Sequence, residues 1–250
     1  MASSSTSTLT PPKKYDVFLS FREEDTRCGF TSYLYDALKR KQILTFIDNE
    51  LVRGDEISPS LLKAMEESKL FVIIFSENYA SSKWCLEELV QILECRNNNG
   101  QIVVPVFYFV DPSHVRNQTG SFGDEFARLI EEKALAMDNV QSFRSALKDA
   151  ANLSRRGLGK SELQSEFVQK IVRDILNKLS EMPSSHTMDL VGIEARLAEI
   201  DSLLNMESQD VSLVGIWGMG GIGKTTIAEA IWTNIHTQFE GTFLQTLGKN

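Results

Sequence analysis

Three stretches of this chain carry residue types whose spacing could do chemistry. The first is Gly218-Met219-Gly220-Gly221-Ile222-Gly223-Lys224-Thr225, of the form GxxxxGKT, behind the apolar run VSLVGIW. Strand, glycine loop and helix in that order wrap backbone N–H groups and a lysine around phosphates. The second is YDVFLSFREEDTR, Tyr15 to Arg27, where a short apolar run gives way at once to six mostly charged residues. A buried strand ending there delivers charge to the carboxyl end of a sheet, the edge where open α/β sheets place ligands. The same charges could equally serve the next helix, with Asp25 or Thr26 as its N-cap. The third is Trp84-Cys85-Leu86-Glu87-Glu88. At helical spacing Cys85, Leu86, Leu89, Val90, Ile92 and Leu93 share one broad face, Trp84 and Glu88 lie together beside it, and Glu87 points out to water. Periodicity alone makes Glu88 a carboxylate at the edge of the core, and a merely solvated one satisfies it.

The elements that must position these residues alternate strand and helix. Strands are expected at Tyr15–Leu19, at 43–47 (ILTFI), at 70–75 (LFVIIF) and at 102–110 (IVVPVFYFV), where Pro105 lacks a donor and belongs at a bulge or an edge. Residues 26–40 read as an amphipathic helix through Phe30, Leu34, Ala37 and Leu38. Ser58-Pro59 opens a second helix, and residues 82–96 form a third, stopped by the Asn97-Asn98-Asn99-Gly100 turn. One or two helices fill 121–151, a weak strand is expected around Leu153, and a last helix covers 162–180. Such alternation implies parallel strands with right-handed crossovers, hence a flavodoxin-like, five-stranded parallel sheet with helices on both faces.

Composition excludes several classes. The 250 residues give room for one domain and part of another. A net charge of −8 argues against nucleic acid and against an anionic membrane surface. No apolar run approaches the ~20 residues of a membrane span. Cys28, Cys85 and Cys95 lack metal-type spacing, so no metal is expected and a reducing compartment is. Residues 1–12 read as a disordered Ser/Thr-rich tail, and 181–192 (EMPSSHTMDLVG) as a linker before a short amphipathic helix. After Thr225 only 25 residues follow, without the further strands and magnesium-binding acid that a P-loop fold needs. The P-loop at Gly218, Gly223, Lys224 and Thr225 is therefore expected to be part of a fragment, with ATP or ADP binding not expected of it.

KYDVFLSFR, EDTR and FTSYLYDAL, then TFIDNELVRGDEISPSLLKAMEES, LFVIIFSENYASSKWCLEELVQIL and VVPVFYFVDPSHVRNQTGSF, resemble in sequence and order a plant TIR (Toll/interleukin receptor) domain over residues 13–180. Residues 193–250, with VSLVGIWGMGGIGKTT, resemble the start of the nucleotide-binding (NB-ARC) domain of plant immune receptors. The resemblance implies an enzyme that hydrolyses or cyclises NAD+, releasing nicotinamide, when it self-associates in defence signalling. NAD+ is then the substrate, and no cofactor is required. By matching motif positions it makes Glu88 the catalytic acid and Phe21, Arg22, Arg27, Arg53 and Trp84 substrate-binding residues, with Asp48 a weaker candidate. Other TIR domains are the implied partners, through the first helix at Ser32 and Tyr33, and the implied location is the cytoplasm, with the nucleus also open to it.

Two positions depart from the family pattern. Glu23 stands where the family has glycine in FRGEDTR, placing a carboxylate where a pyrophosphate would approach. Tyr33 stands where the family commonly has histidine, and a phenol cannot charge as imidazole does. Glu23 and the missing ATPase core favour a rival reading, a non-catalytic adaptor or decoy that binds other TIR proteins, while the intact Trp84–Glu88 motif favours the enzyme. An ADP/ATP-binding switch through Lys224 is the weaker alternative.

Overall fold

The computed structural model describes residues 13–48, 57–153, 157–158, 163–182, 215–219, 222–225, 227–228 and 231. The chain divides into two compact units, Met1–Leu179 and Ser180–Asn250.

The first unit is built on strands β1 (Tyr15–Phe21), β2 (Thr45–Ile47), β3 (Ser68–Phe75), β4 (Ile102–Tyr108) and β5 (Gly157–Leu158). All pair in parallel, in the order β2-β1-β3-β4-β5. The near-continuous apolar strands are what a sheet covered on both faces requires. Alternation along each strand then sorts the side chains into two cores. Phe18, Phe71, Ile73, Phe75, Val103 and Phe107 pack on one face with helices α3 (Pro59–Glu66), α4 (Lys83–Asn99), α6 (Gly120–Glu132) and α7 (Met137–Leu153). Val17, Leu19, Phe21, Val72, Ile74, Val104 and Val106 pack on the other with α2 (Ser32–Arg40) and α8 (Gln164–Glu181).

Local signals set most boundaries. Ser58 caps α3, its hydroxyl accepting from the Leu61 N–H at 3.2 Å, with Pro59 in the first turn. α4 runs through the three asparagines and stops at Gly100, whose φ of 70° is the left-handed C-cap that glycine adopts without strain. Pro105 lies within β4, paired with Ile73 of β3, and among the described residues β5 pairs with Phe107 and Tyr108, beyond the level of Pro105.

Several expectations change. The first helix is broken into α1 (Glu23–Thr26), a wide turn over Arg27–Thr31 with Gly29 at non-helical φ −133°, ψ −111°, and then α2. Its apolar positions still hold, with Phe30, Leu34 and Leu38 buried. A short helix, α5 (Pro112–Asn117), capped by Asp111, lies in the stretch between the strand expected at 102–110 and the helices expected from 121. Leu153 itself is helical: Val140, Phe143, Leu147, Ala150 and Ala151 continue a buried helical stripe, α7 extends to Leu153, and the fifth strand, β5, lies at Gly157–Leu158.

The second unit is described chiefly at its glycine loop. VSLVGIW reads as a buried strand, yet its described part, Gly215 to Trp217, is not a strand, and Trp217 is 93% exposed. Helical residues begin at Lys224. The linker from residue 183, the amphipathic helix expected after it and the tail over 1–12 lie outside the described residues.

Candidate active site

In the strand order 2-1-3-4-5 the chain leaves β1 for β2 on one side and returns to β3 on the other. The crevice between the carboxyl ends of β1 and β3 is therefore the topological switch point, where doubly wound sheets bind ligands. Strand alternation decides what reaches it. Ser20, next to last in β1, points to the face that carries α4, while Phe21 points to the opposite face.

Glu88 is brought into this crevice. It is 4% exposed, buried with Ser20, whose hydroxyl donates to Glu88 Oε2 at 2.5 Å. The Ser20 and Tyr79 hydroxyls lie 3.4 Å apart, and Tyr79 donates to the Cys85 carbonyl at 3.0 Å, fixing the first turn of α4. Cys85 Sγ in turn lies 3.8 Å from the Phe21 carbonyl. A carboxylate at this depth is tolerated because it is hydrogen-bonded. This corrects the sequence picture of a carboxylate merely bordering the core. Glu87 stays at the surface of α4, paired with Lys83 at 2.9 Å. Trp84, one helical turn before Glu88, is half-buried against the core beneath α4.

The charged run after β1 is organised by Asp25. It does not cap α1, whose N-cap position is Arg22 without a side-chain cap. Instead Asp25 accepts from Arg22 at 2.6 Å, from the Ser76 hydroxyl at 2.5 Å, and from the Asn78 backbone N–H and side-chain amide at 3.3 Å each. The loop after β1 is thereby tied to the loop after β3, across the mouth of the switch point. Arg22 also reaches Glu24 at 3.4 Å. Arg27 lies over the Phe21 ring, 5.4 Å from its centroid, forms an ion pair with Glu23, and donates to the Asp48 carbonyl.

Phe21, Arg22, Arg27, Trp84 and Glu88 thus sit on β1, on the turn after it, and on the first turns of α4. Arg53 lies outside the described residues. Ser32 and Tyr33 are elsewhere, at the start of α2, with Tyr33 62% exposed and the Ser32 hydroxyl donating to the Arg27 carbonyl. In the second unit Lys224 Nζ donates to the carbonyls of Gly218 and Met219 at 2.8 and 2.7 Å, and Gly218 and Gly223 have φ of 156° and 87°. Ser20, Tyr79, Ser76 and Asn78 escaped the sequence reading. Only the small polar Ser20 inside an otherwise apolar strand signalled that something polar must face it.

The parallel sheet, its strand order and the motif-bearing loops define a TIR fold. A family model for the TIR domain matches residues 14–193, and one for the NB-ARC domain matches residues 193–249. The chain belongs to the TIR domain family, with the start of an NB-ARC region after it. It is 50% identical over 241 residues to the disease resistance protein RPV1 of Vitis rotundifolia, covering 96% of this chain and 17% of that protein. It is 45% identical over 258 residues to the TMV resistance protein N of Nicotiana glutinosa, covering all of this chain and 22% of that one. The chain therefore spans about a fifth of the length of these curated relatives. Among solved structures it is similar to the TIR domains of the activated Roq1 resistosome, which directly recognises the pathogen effector XopQ. That match has a TM-score of 0.59 and 48% identity, over 65% of this chain and 99% of that one.

Proposed function

We propose that this chain cleaves the nicotinamide–ribose bond of NAD+ in plant defence signalling, as one of several associated TIR domains in the cytoplasm. The observation that carries the proposal is Glu88: a buried carboxylate, gripped by a β1 hydroxyl, at the switch point of a TIR sheet. Nicotinamide departs neutral, so the step needs no general acid on the leaving group. The ribose passes through an oxocarbenium-like state, and a carboxylate fixed beside it offsets the growing positive charge without having to reorganise. Ser20 holds one oxygen of that carboxylate in place. Trp84 supplies an aromatic wall one turn away, and Arg22 and Arg27 supply positive charge for the pyrophosphate.

The deciding measurement is NAD+ consumption by purified protein at high concentration with a crowding agent. Glu88→Ala is expected to lower turnover by a factor of ~100–1,000, the usual worth of an electrostatic stabiliser of a transition state. Glu87→Ala, which removes only the Lys83 partner, is expected to leave turnover unchanged. Retained turnover in Glu88→Ala would transfer the assignment to a non-catalytic adaptor or decoy that binds other TIR proteins, a reading favoured by the Glu23–Arg27 ion pair. Nucleotide switching at the glycine loop is the weaker alternative, since Lys224 is engaged with its own loop carbonyls. Among the described residues no helix is long and apolar enough to cross a membrane.

A further inference from the structure

Resting on the reading of Arg27 as a nucleotide-facing residue, we propose that the Glu23 carboxylate is the resident anion of Arg27, which the phosphates of a bound dinucleotide must displace. Glu23 and Arg27 are one helical turn apart, with side chains only 22% and 23% exposed, so solvent screens the pair less than it would a fully exposed one. The edge of the guanidinium matters. Its Nε meets the Glu23 carboxylate, and its terminal NH2 donates to the Asp48 carbonyl. Those are donors that a phosphate uses when it grips arginine with two parallel hydrogen bonds. Carboxylate and phosphate therefore compete for one edge of the same guanidinium.

Arg22 makes the contrast. Its partner Asp25 is held in addition by Ser76 and Asn78, so that carboxylate is fixed by a second loop. The Arg27 guanidinium instead joins the α1 turn, the last residue of β1 and the residue after β2, one residue along β1 from the Ser20 that holds Glu88. Glu23 is thus an affinity-setting residue that acts through Arg27. It opposes anionic ligands and leaves phosphate-free ones untouched.

The test is calorimetric titration of the full chain with ADP-ribose, which carries the diphosphate, and with adenosine, which carries none. Glu23→Gln keeps the size of the side chain and removes its charge, and its melting temperature checks that the fold is intact. The expected result is ADP-ribose binding roughly fivefold tighter in Glu23→Gln, the upper end for an ion pair that solvent can reach, with adenosine affinity unchanged. In an Arg27→Ala background the gain should vanish. Unchanged ADP-ribose affinity, an equal change for both ligands, or a gain that persists without Arg27 would each overturn the proposal. Because binding is read without turnover, a chain that behaves as expected here yet cleaves no NAD+ loses only the enzymatic reading. A chain that binds ADP-ribose in no variant loses both.

Discussion

Two of the loops that lead from an apolar run into a helix contrast sharply: the turn after β1 and the glycine loop from Gly218 to Thr225. By sequence the second is the more explicit nucleotide motif. Among the described residues the first is the more completely built. Its Asp25 takes partners from the loop after β3 and its Arg27 from the residue after β2, while Glu88 of α4 is held by Ser20 of β1 beside it. Lys224, the cation of the glycine loop, is held by carbonyls of that same loop, and the segment entering it is exposed at Trp217. A motif supplies donors and charges. Holding them in a fixed arrangement takes neighbouring strands that contribute partners of their own, and the preorganisation on which electrostatic catalysis depends is a property of those neighbours.

Breaking the tie at Asp25 should have the largest effect. Asp25→Ala strips Arg22, Ser76 and Asn78 of a shared ionised acceptor, at a cost of about 3 kcal/mol. For a unit of this size that is a fall in melting temperature of roughly 6–12 °C, together with loss of NAD+ turnover. A thermal melt within a degree of the parent would mean that the two loops are not coupled. Ser20→Ala comes next. It leaves the buried Glu88 carboxylate short of a donor, and about 1–3 kcal/mol of stability should disappear in urea unfolding. Glu88→Ala should cost a comparable amount, since the side chain is buried with Ser20 rather than standing at a rim. If Glu88→Ala melts like the parent, the hydrogen bond contributes nothing net.

A smaller effect is expected at the surface of α2. Tyr33 is 62% exposed at the start of α2. Tyr33→His is expected to raise the oligomer fraction in sedimentation without moving the melting temperature by more than the ~0.5 kcal/mol of an ordinary surface change. A parent chain that is already a stable oligomer, and that the substitution dissociates, would make Tyr33 a native contact instead. The least effect is expected at the glycine loop. Lys224→Ala should leave NAD+ turnover and the unfolding of the TIR unit unchanged, because among the described residues its bonds stay inside its own loop. Micromolar ADP binding that this substitution removes would reverse the ranking of the two loops.

What the sequence determined by itself is local and periodic. Apolar runs of strand length set four of the five strands, Ser58-Pro59 and Gly100 set helix ends, and the i, i+4, i+8 spacing of Phe30, Leu34 and Leu38 set the buried stripe that follows the break at Gly29. Each is a property of a few neighbouring residues, and backbone sterics and amphipathicity act at that range. Resemblance to a family added Glu88, Trp84 and the arginines as candidates, without saying what holds them. The tertiary structure alone decided that Glu88 is buried, that its partner is Ser20, 68 positions earlier, and that Asp25 joins two loops rather than capping a helix. Those facts depend on which strands lie side by side and on which face each side chain emerges. In a parallel sheet such pairings join residues separated by whole crossovers, so no window of sequence contains both partners.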